Sequence, residues 1–174
     1  YTLINNVLVI NRELTQLDIF VRDFIMILKK YSDYLIVSGY ISISTGRTRG
    51  TEDVDVLVPL LDKNNFLQLF NNLQKKGFWC YQTNSPEEAY IKNNINIRFA
   101  RINEIFPNIE FIPITKQKKL QYFEFTHPQE ILVGNFQFKI APLEFEIIYK
   151  EVILASDKDK ADALHLRTMF IEFL

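Results

Sequence analysis

In the run DVDVLVP, residues 53 to 59, two carboxylates alternate with valines. Side chains at i and i+2 of an extended chain share a face, so Asp53 and Asp55 project together while Val54, Val56 and Val58 face the other way. At ~3.3 Å per residue their Cα atoms stand ~6 to 7 Å apart, within reach of one hard cation or a pair. Two ionised carboxylates so close repel, which raises at least one pKa unless a cation or a basic side chain meets them. Mg²⁺ (or Mn²⁺) suits such a pair, because it takes carboxylate oxygens while keeping positions for water and for substrate phosphates. The competing reading of an isolated Asp-x-Asp is a strand edge whose carboxylates pair with Arg47 or Arg49.

The residues upstream favour the phosphate chemistry. YLIV, residues 34 to 37, reads as a buried strand that runs into Ser38-Gly39. A glycine there lets backbone approach a phosphate. Arg49 and Thr51 then lead into the aspartates as RGTEDVD. TGRTRG has glycines and basic residues but not the spacing of a P-loop.

The elements that must hold these residues follow from periodicity. VLVI (7 to 10) reads as a strand. From Thr15, the apolar positions Leu17, Phe20, Val21, Phe24, Ile25 and Leu28 recur at helical spacing, with Thr15 and Asp18 as an N-terminal cap. Asp62 caps a second helix that Gly77 ends. GFWCYQ, INIRFARI (95 to 102) and NIEFIPI (108 to 114) read as strands, and Ser85-Pro86 opens a helical turn. A hairpin is expected about Gly134-Asn135, with the pairs Phe123/Phe125 and Phe136/Phe138 alternating as hairpin residues do. A helix opening at Pro142 and another capped by Ser156 close the chain. This order predicts an α/β (α+β) fold, a mixed sheet flanked by helices. The chain reads as a single unit, 1–174, with a core at about 34–114 and the C-terminal hairpin and helices at about 115–174.

Strand, Ser-Gly turn, short helix and Arg-x-Thr-x-Asp-x-Asp strand, here YLIVSG, YISISTG and RGTEDVDVLV, together resemble the nucleotidyltransferase superfamily, the DNA polymerase β-like fold. The nearest branches are the abortive-infection toxins and the antibiotic nucleotidyltransferases. The resemblance implies that Ser38, Gly39 and Tyr40 form the turn that holds a triphosphate, that Asp53 and Asp55 bind metal, and that Arg49 and Thr51 buttress the turn or touch phosphate. It implies a third carboxylate on a later strand, for which Glu110 in NIEFIPI is the match by position and Glu104, in an expected loop, the competitor. In the C-terminal segment, Lys150, Lys158-Asp159 and Asp162 resemble the ending of those branches, where the first lysine is a candidate triphosphate ligand. The pattern departs from the family's Gly-Gly or Gly-Ser turn in having Ser first.

Composition bounds the remainder. The 174 residues are 48% hydrophobic with a formal charge of -1, which supplies a core and argues against a surface given wholly to nucleic acid. No run approaches ~18 apolar residues, so no membrane span is expected, and the single cysteine, Cys80, excludes an internal disulfide and fits a cytoplasmic location. Tyr1 in place of Met makes a missing N-terminal stretch an expectation. Cys80, His127 and His165 lack partners at metal or nucleophile spacing and read as structural. Two functions of different class follow. One is metal-dependent transfer of an NMP group from an NTP to an acceptor hydroxyl on a small molecule, tRNA or protein, with pyrophosphate released. The other is an inactive module of the same fold that binds a nucleotide or a partner protein.

Overall fold

The computed structural model describes residues 1–51 and 53–174. Among the described residues nine strands form one mixed sheet: β1 (Thr2–Ile4), β2 (Val7–Ile10), β3 (Leu35–Val37), β4 (Asp53–Pro59), β5 (Phe78–Cys80), β6 (Ile97–Arg101), β7 (Asn108–Ile114), β8 (Gln129–Val133) and β9 (Phe136–Ile140). Their order across the sheet is β1-β2-β8-β9-β3-β4-β7-β6-β5. β4 lies near the middle, antiparallel to β3 and parallel to β7. The C-terminal hairpin β8-β9 fills the sheet between β2 and β3, so the residues after 115 are woven into the same sheet as the aspartates.

Alternation on β4 and β7 separates two faces. Val54, Val56 and Val58, with Ile109 and Phe111, are buried beneath helices α1 (Gln16–Leu28) and α3 (Lys63–Lys75). There Phe24 meets Phe78 and Phe99, and Phe66 and Phe70 meet Phe111 and Phe99. Each of these fully buried aromatics stabilises the fold by about 1.5–3 kcal/mol of burial. α1 begins in a complete capping box: Thr15 accepts from the Asp18 N–H at 3.2 Å and the Asp18 carboxylate accepts from the Thr15 N–H at 2.7 Å. α3 is capped by Asp62 as the sequence predicts.

The opposite face carries Asp53 and Asp55 on β4 and Glu110 on β7. It is covered in part by C-terminal elements: α5 (Lys119–Thr126), α6 (Leu143–Ile148), its π-helical continuation Tyr149–Leu154, and α7 (Asp157–Met169). α2 (Gly39–Ser44) follows β3 directly and α4 (Pro86–Lys92) follows β5. One expectation fails here. Phe123 and Phe125 are not hairpin residues but lie on α5, with Phe123 exposed, stacked on His127 and tilted against Phe145. Their period of two arises within a helix that turns Glu124, the residue between them, inward.

Among the described residues no helix is long and apolar enough to cross a membrane.

Candidate active site

The parallel pairing of β4 with β7 sets the register of the acidic residues: Asp53 lies beside Asn108, and Asp55 beside Glu110. Asn108-x-Glu110 thus repeats the spacing of Asp53-x-Asp55 on the neighbouring strand. β6 adds Arg98, paired in register with Glu110. Its guanidinium donates to Asp53 at 2.9 Å and to Glu110 at 3.2 Å. Asn108 donates to Asp53 at 2.9 Å and Asn96 to Glu110 at 2.8 Å. The basic partner of this edge is therefore Arg98, and neither Arg47 nor Arg49.

Asp55 meets that network through Glu110, and Arg98 does not reach it. Burial, then the adjacent Glu110 carboxylate, push its pKa up to about 6; the Ser38 hydroxyl opposes the rise and Asp53 adds to it. The repulsion expected between the two aspartates is thus a smaller cause than that between Asp55 and Glu110.

Whether these groups suit a divalent cation turns on that arrangement. Their donor type and register do: three carboxylates on two adjacent strands, with Asp55 lacking a counter-charge. Among the described residues, however, no group of three or more His, Cys, Asp or Glu side chains is gathered closely enough to hold a metal ion, and Arg98 takes the space between Asp53 and Glu110.

Asp55 opens onto a cavity of about 320 Å³ shared with Ser38, Leu57, Ile112, Glu124 and Glu146. Glu110 is not among its lining residues. Glu104, its competitor, sits in an exposed loop, where its carbonyl accepts from the Trp79 indole at 2.9 Å; it lines a separate depression with Arg49, Thr51 and Arg101.

The turn after β3 is shaped by two residues. Ser38 has φ 68° and ψ -141°, a conformation glycine adopts freely and a side chain does not. It occupies the position at which the family pattern has Gly. A Cβ on Gly39 would lie 2.0 Å from the Arg49 guanidinium, so a side chain there requires Arg49 to move. The space next to Gly39 is thus filled by Arg49. Tyr40 is fully buried, and its hydroxyl donates to Asp18 at 2.7 Å, away from the turn. Thr51 bonds to the Asp53 carbonyl at 2.8 Å and so ties the chain just before β4.

Behind the turn, Asp162 on α7 collects three cations. Arg47 ion-pairs with it, Arg49 donates at 3.1 Å and Lys150 at 3.1 Å. Lys150 is 1% exposed and also meets Glu146 at 3.4 Å and Asp159 at 3.7 Å. Its ammonium is enclosed by three carboxylates. Burial raises the Glu146 pKa, with Lys150 and the Ser38 N–H drawing it back. This cluster fixes α2, Arg49 and α7 to one another.

Arg98, Asn96, Asn108, Glu124 and Glu146 escaped the sequence reading. The first three had a signal, polar residues at period two in strands otherwise apolar. The two glutamates had none, since a Glu in a short helix is ordinary.

The fold is that of solved nucleotidyltransferases. A nucleotidyltransferase-like antigenic protein from Paracoccidioides brasiliensis superposes with a TM-score of 0.55 at 16% identity, covering 91% of this chain and 78% of that one. The lincosamide antibiotic adenylyltransferase LnuA, solved with lincomycin bound, superposes with a TM-score of 0.57 at 11% identity, covering 91% and 99%. No family model matches the chain, and no curated protein matches it.

Proposed function

We propose that the protein transfers a nucleoside monophosphate from an NTP to an acceptor hydroxyl, releasing pyrophosphate. The observation that carries this reading is Asp55, set beside Glu110 across two parallel strands and opening onto the cavity at the Ser38-Gly39 turn. That one structural neighbour is an adenylyltransferase supports the same direction.

With Arg98 displaced and the three carboxylates drawn together, Asp53, Asp55 and Glu110 would hold Mg²⁺ or Mn²⁺, which when bound supplies charge neutralisation at the α-phosphate and a more acidic acceptor hydroxyl. The chain's own contributions are positional. The Ser38-Gly39 turn, braced by Arg49 and Asp162, would offer its backbone to the phosphates once the Ser38 N–H leaves Glu146. Asp55 is the carboxylate that an acceptor in the cavity meets, while Glu110 orders Asn96 and Arg98. Arg98, about one-third exposed, is free to leave the carboxylates for the charge of an incoming triphosphate. Lys150, buried among carboxylates, stabilises the turn from a distance and is not a phosphate ligand on this reading.

The test is pyrophosphate release from each NTP with Mg²⁺, alongside thermal stabilisation by the Mg²⁺–NTP pair. Wild type should respond, and Asp53→Asn/Asp55→Asn should remain folded and lose the response. Equal stabilisation of both proteins would overturn the assignment. The second reading, an inactive nucleotide- or partner-binding module, draws on Arg98, whose contacts already supply a positive charge to Asp53 and Glu110. Nucleotide binding that is independent of Mg²⁺ and never yields pyrophosphate would favour it.

A further inference from the structure

A cavity of about 510 Å³ lies on the α1–α3 face of the sheet, turned away from Asp53 and Asp55. Arg22 and Met26 of α1 and Lys30 just past its end line it, residues at i, i+4 and i+8 that share one side of the helix, with Asp23 and Ile27 beside them. Lys76 comes from the end of α3, and Phe78 and Arg101 from β5 and β6, where the two are paired in register.

Four cations thus face one carboxylate. Asp23 lies 3.3 Å from the Arg22 guanidinium and pairs with Arg101 as well, so one negative charge is shared by two arginines. Lys30 and Lys76 are exposed, and among the described residues their side chains have no ion pair or hydrogen bond. The C-termini of α1 and α3 contribute about half an elementary negative charge each, which leaves about two positive charges without an answer. Arg101 is already held, its guanidinium 4.7 Å from the centre of the Phe78 ring, so little side-chain freedom remains to be lost when an anion binds. The planar fork of arginine matches the oxygens of phosphate.

We infer that this cavity is a second ligand site and that it binds a free nucleoside diphosphate, the phosphates held by Arg22, Lys30, Lys76 and Arg101 and the nucleoside laid against Met26 and Ile27. The volume, that of ~17 water molecules at ~30 Å³ each, exceeds what a lone phosphate ion fills and suits one nucleotide. A formal charge of -1 for the whole chain confines the attraction to this cavity, without the broad basic field that draws in a polynucleotide. Exposed Lys29 and Lys75 extend the charge a short way beyond the cavity, which makes RNA the occupant to test against. The inference stands on the cavity alone and does not rest on the transfer reading above.

ADP is the probe, titrated by calorimetry in EDTA so that no divalent cation is present, with adenosine and citrate as controls that lack phosphate. Wild type should bind ADP more tightly than either control. Lys30→Gln/Lys76→Gln alters two exposed side chains and should fold as wild type does, yet bind ADP at least ~10-fold more weakly. Arg98→Met, on the acidic face, should bind it as wild type does. Adenosine or citrate bound as tightly as ADP, unchanged affinity in the lysine double variant, or an equal loss in Arg98→Met would each overturn the inference. So would a short single-stranded RNA that binds more tightly than ADP and depends on the same lysines. Because the titration contains no metal, its failure leaves the transfer reading standing, and a protein that never releases pyrophosphate could still pass it.

Discussion

Arg98 on β6 donates to Asp53 and Glu110 at once, so one guanidinium joins the carboxylates of two other strands. The acidic edge thereby holds a cation of its own. Any metal that binds Asp53 and Glu110 must displace this contact, and the affinity measured for metal is a difference between the two.

Replacing Arg98 tests that competition. Arg98→Met should lower the stability of the metal-free protein by on the order of 1 kcal/mol, a modest value because all three side chains are partly exposed. It should also enlarge the shift in melting temperature produced by Mg²⁺ without nucleotide. A Mg²⁺ shift no greater than that of wild type would mean that Arg98 and the cation do not compete.

Gly39 is expected to act through Arg49. Gly39→Ala puts a Cβ where the guanidinium lies and should force it from Asp162, costing about 1–3 kcal/mol. In an Arg49→Ala background the same glycine substitution should cost little. A double-mutant cycle by urea denaturation reads the coupling, and additive losses would show that Gly39 is required for some other reason.

Ser38→Gly should stabilise the protein. Glycine accepts φ 68° and ψ -141° without the strain of a side chain, a gain of about 1 kcal/mol that outweighs its extra entropy when unfolded. The same change removes the hydroxyl that opposes the rise of the Asp55 pKa. A lower denaturation midpoint in Ser38→Gly would show the hydroxyl to be worth more than the strain it entails.

Stability should fall with pH on account of Glu124. Its carboxyl, raised from 4.5 to about 8, stays protonated in the folded chain across a window in which the unfolded chain ionises. The unfolded state therefore releases a proton that the folded state keeps. Stability from this group is complete below about 4.5 and lost as pH climbs through about 8. The loss is on the order of a few kcal/mol, with Asp55, Glu146 and Lys118 the other charged groups facing the same space. Glu124→Gln should flatten the slope and be the more stable protein at alkaline pH. Parallel urea midpoints for both proteins between pH 5 and 8.5 would contradict it.

Local pattern was enough for the elements nearest the carboxylates. The alternation of DVDVLVP marks β4 from Asp53 to Pro59, the limits that the structure gives it, because a strand's period of two is written in consecutive residues. Caps at Thr15, Asp62, Ser85 and Ser156 are legible for a similar reason, since each bonds a backbone N–H three residues on. Short segments failed this test. β1 spans three exposed residues with no apolar alternation to reveal it, and α5 carries aromatics at 123 and 125 that imitate a strand.

What the sequence by itself determined, then, is the series of strands and helices apart from β1 and α5, and the shared face of Asp53 and Asp55, properties that depend on neighbours in the chain. Tertiary structure alone decided what those carboxylates meet. The register of β4 against β7 and β6 sets Glu110 beside Asp55 and Arg98 between Asp53 and Glu110, across separations of dozens of residues. Burial of Glu124 beside Glu146, and enclosure of Lys150 by Glu146, Asp159 and Asp162, depend on how α5, α6 and α7 pack. Electrostatic environment is a property of position in space, and a residue's type and spacing do not carry it.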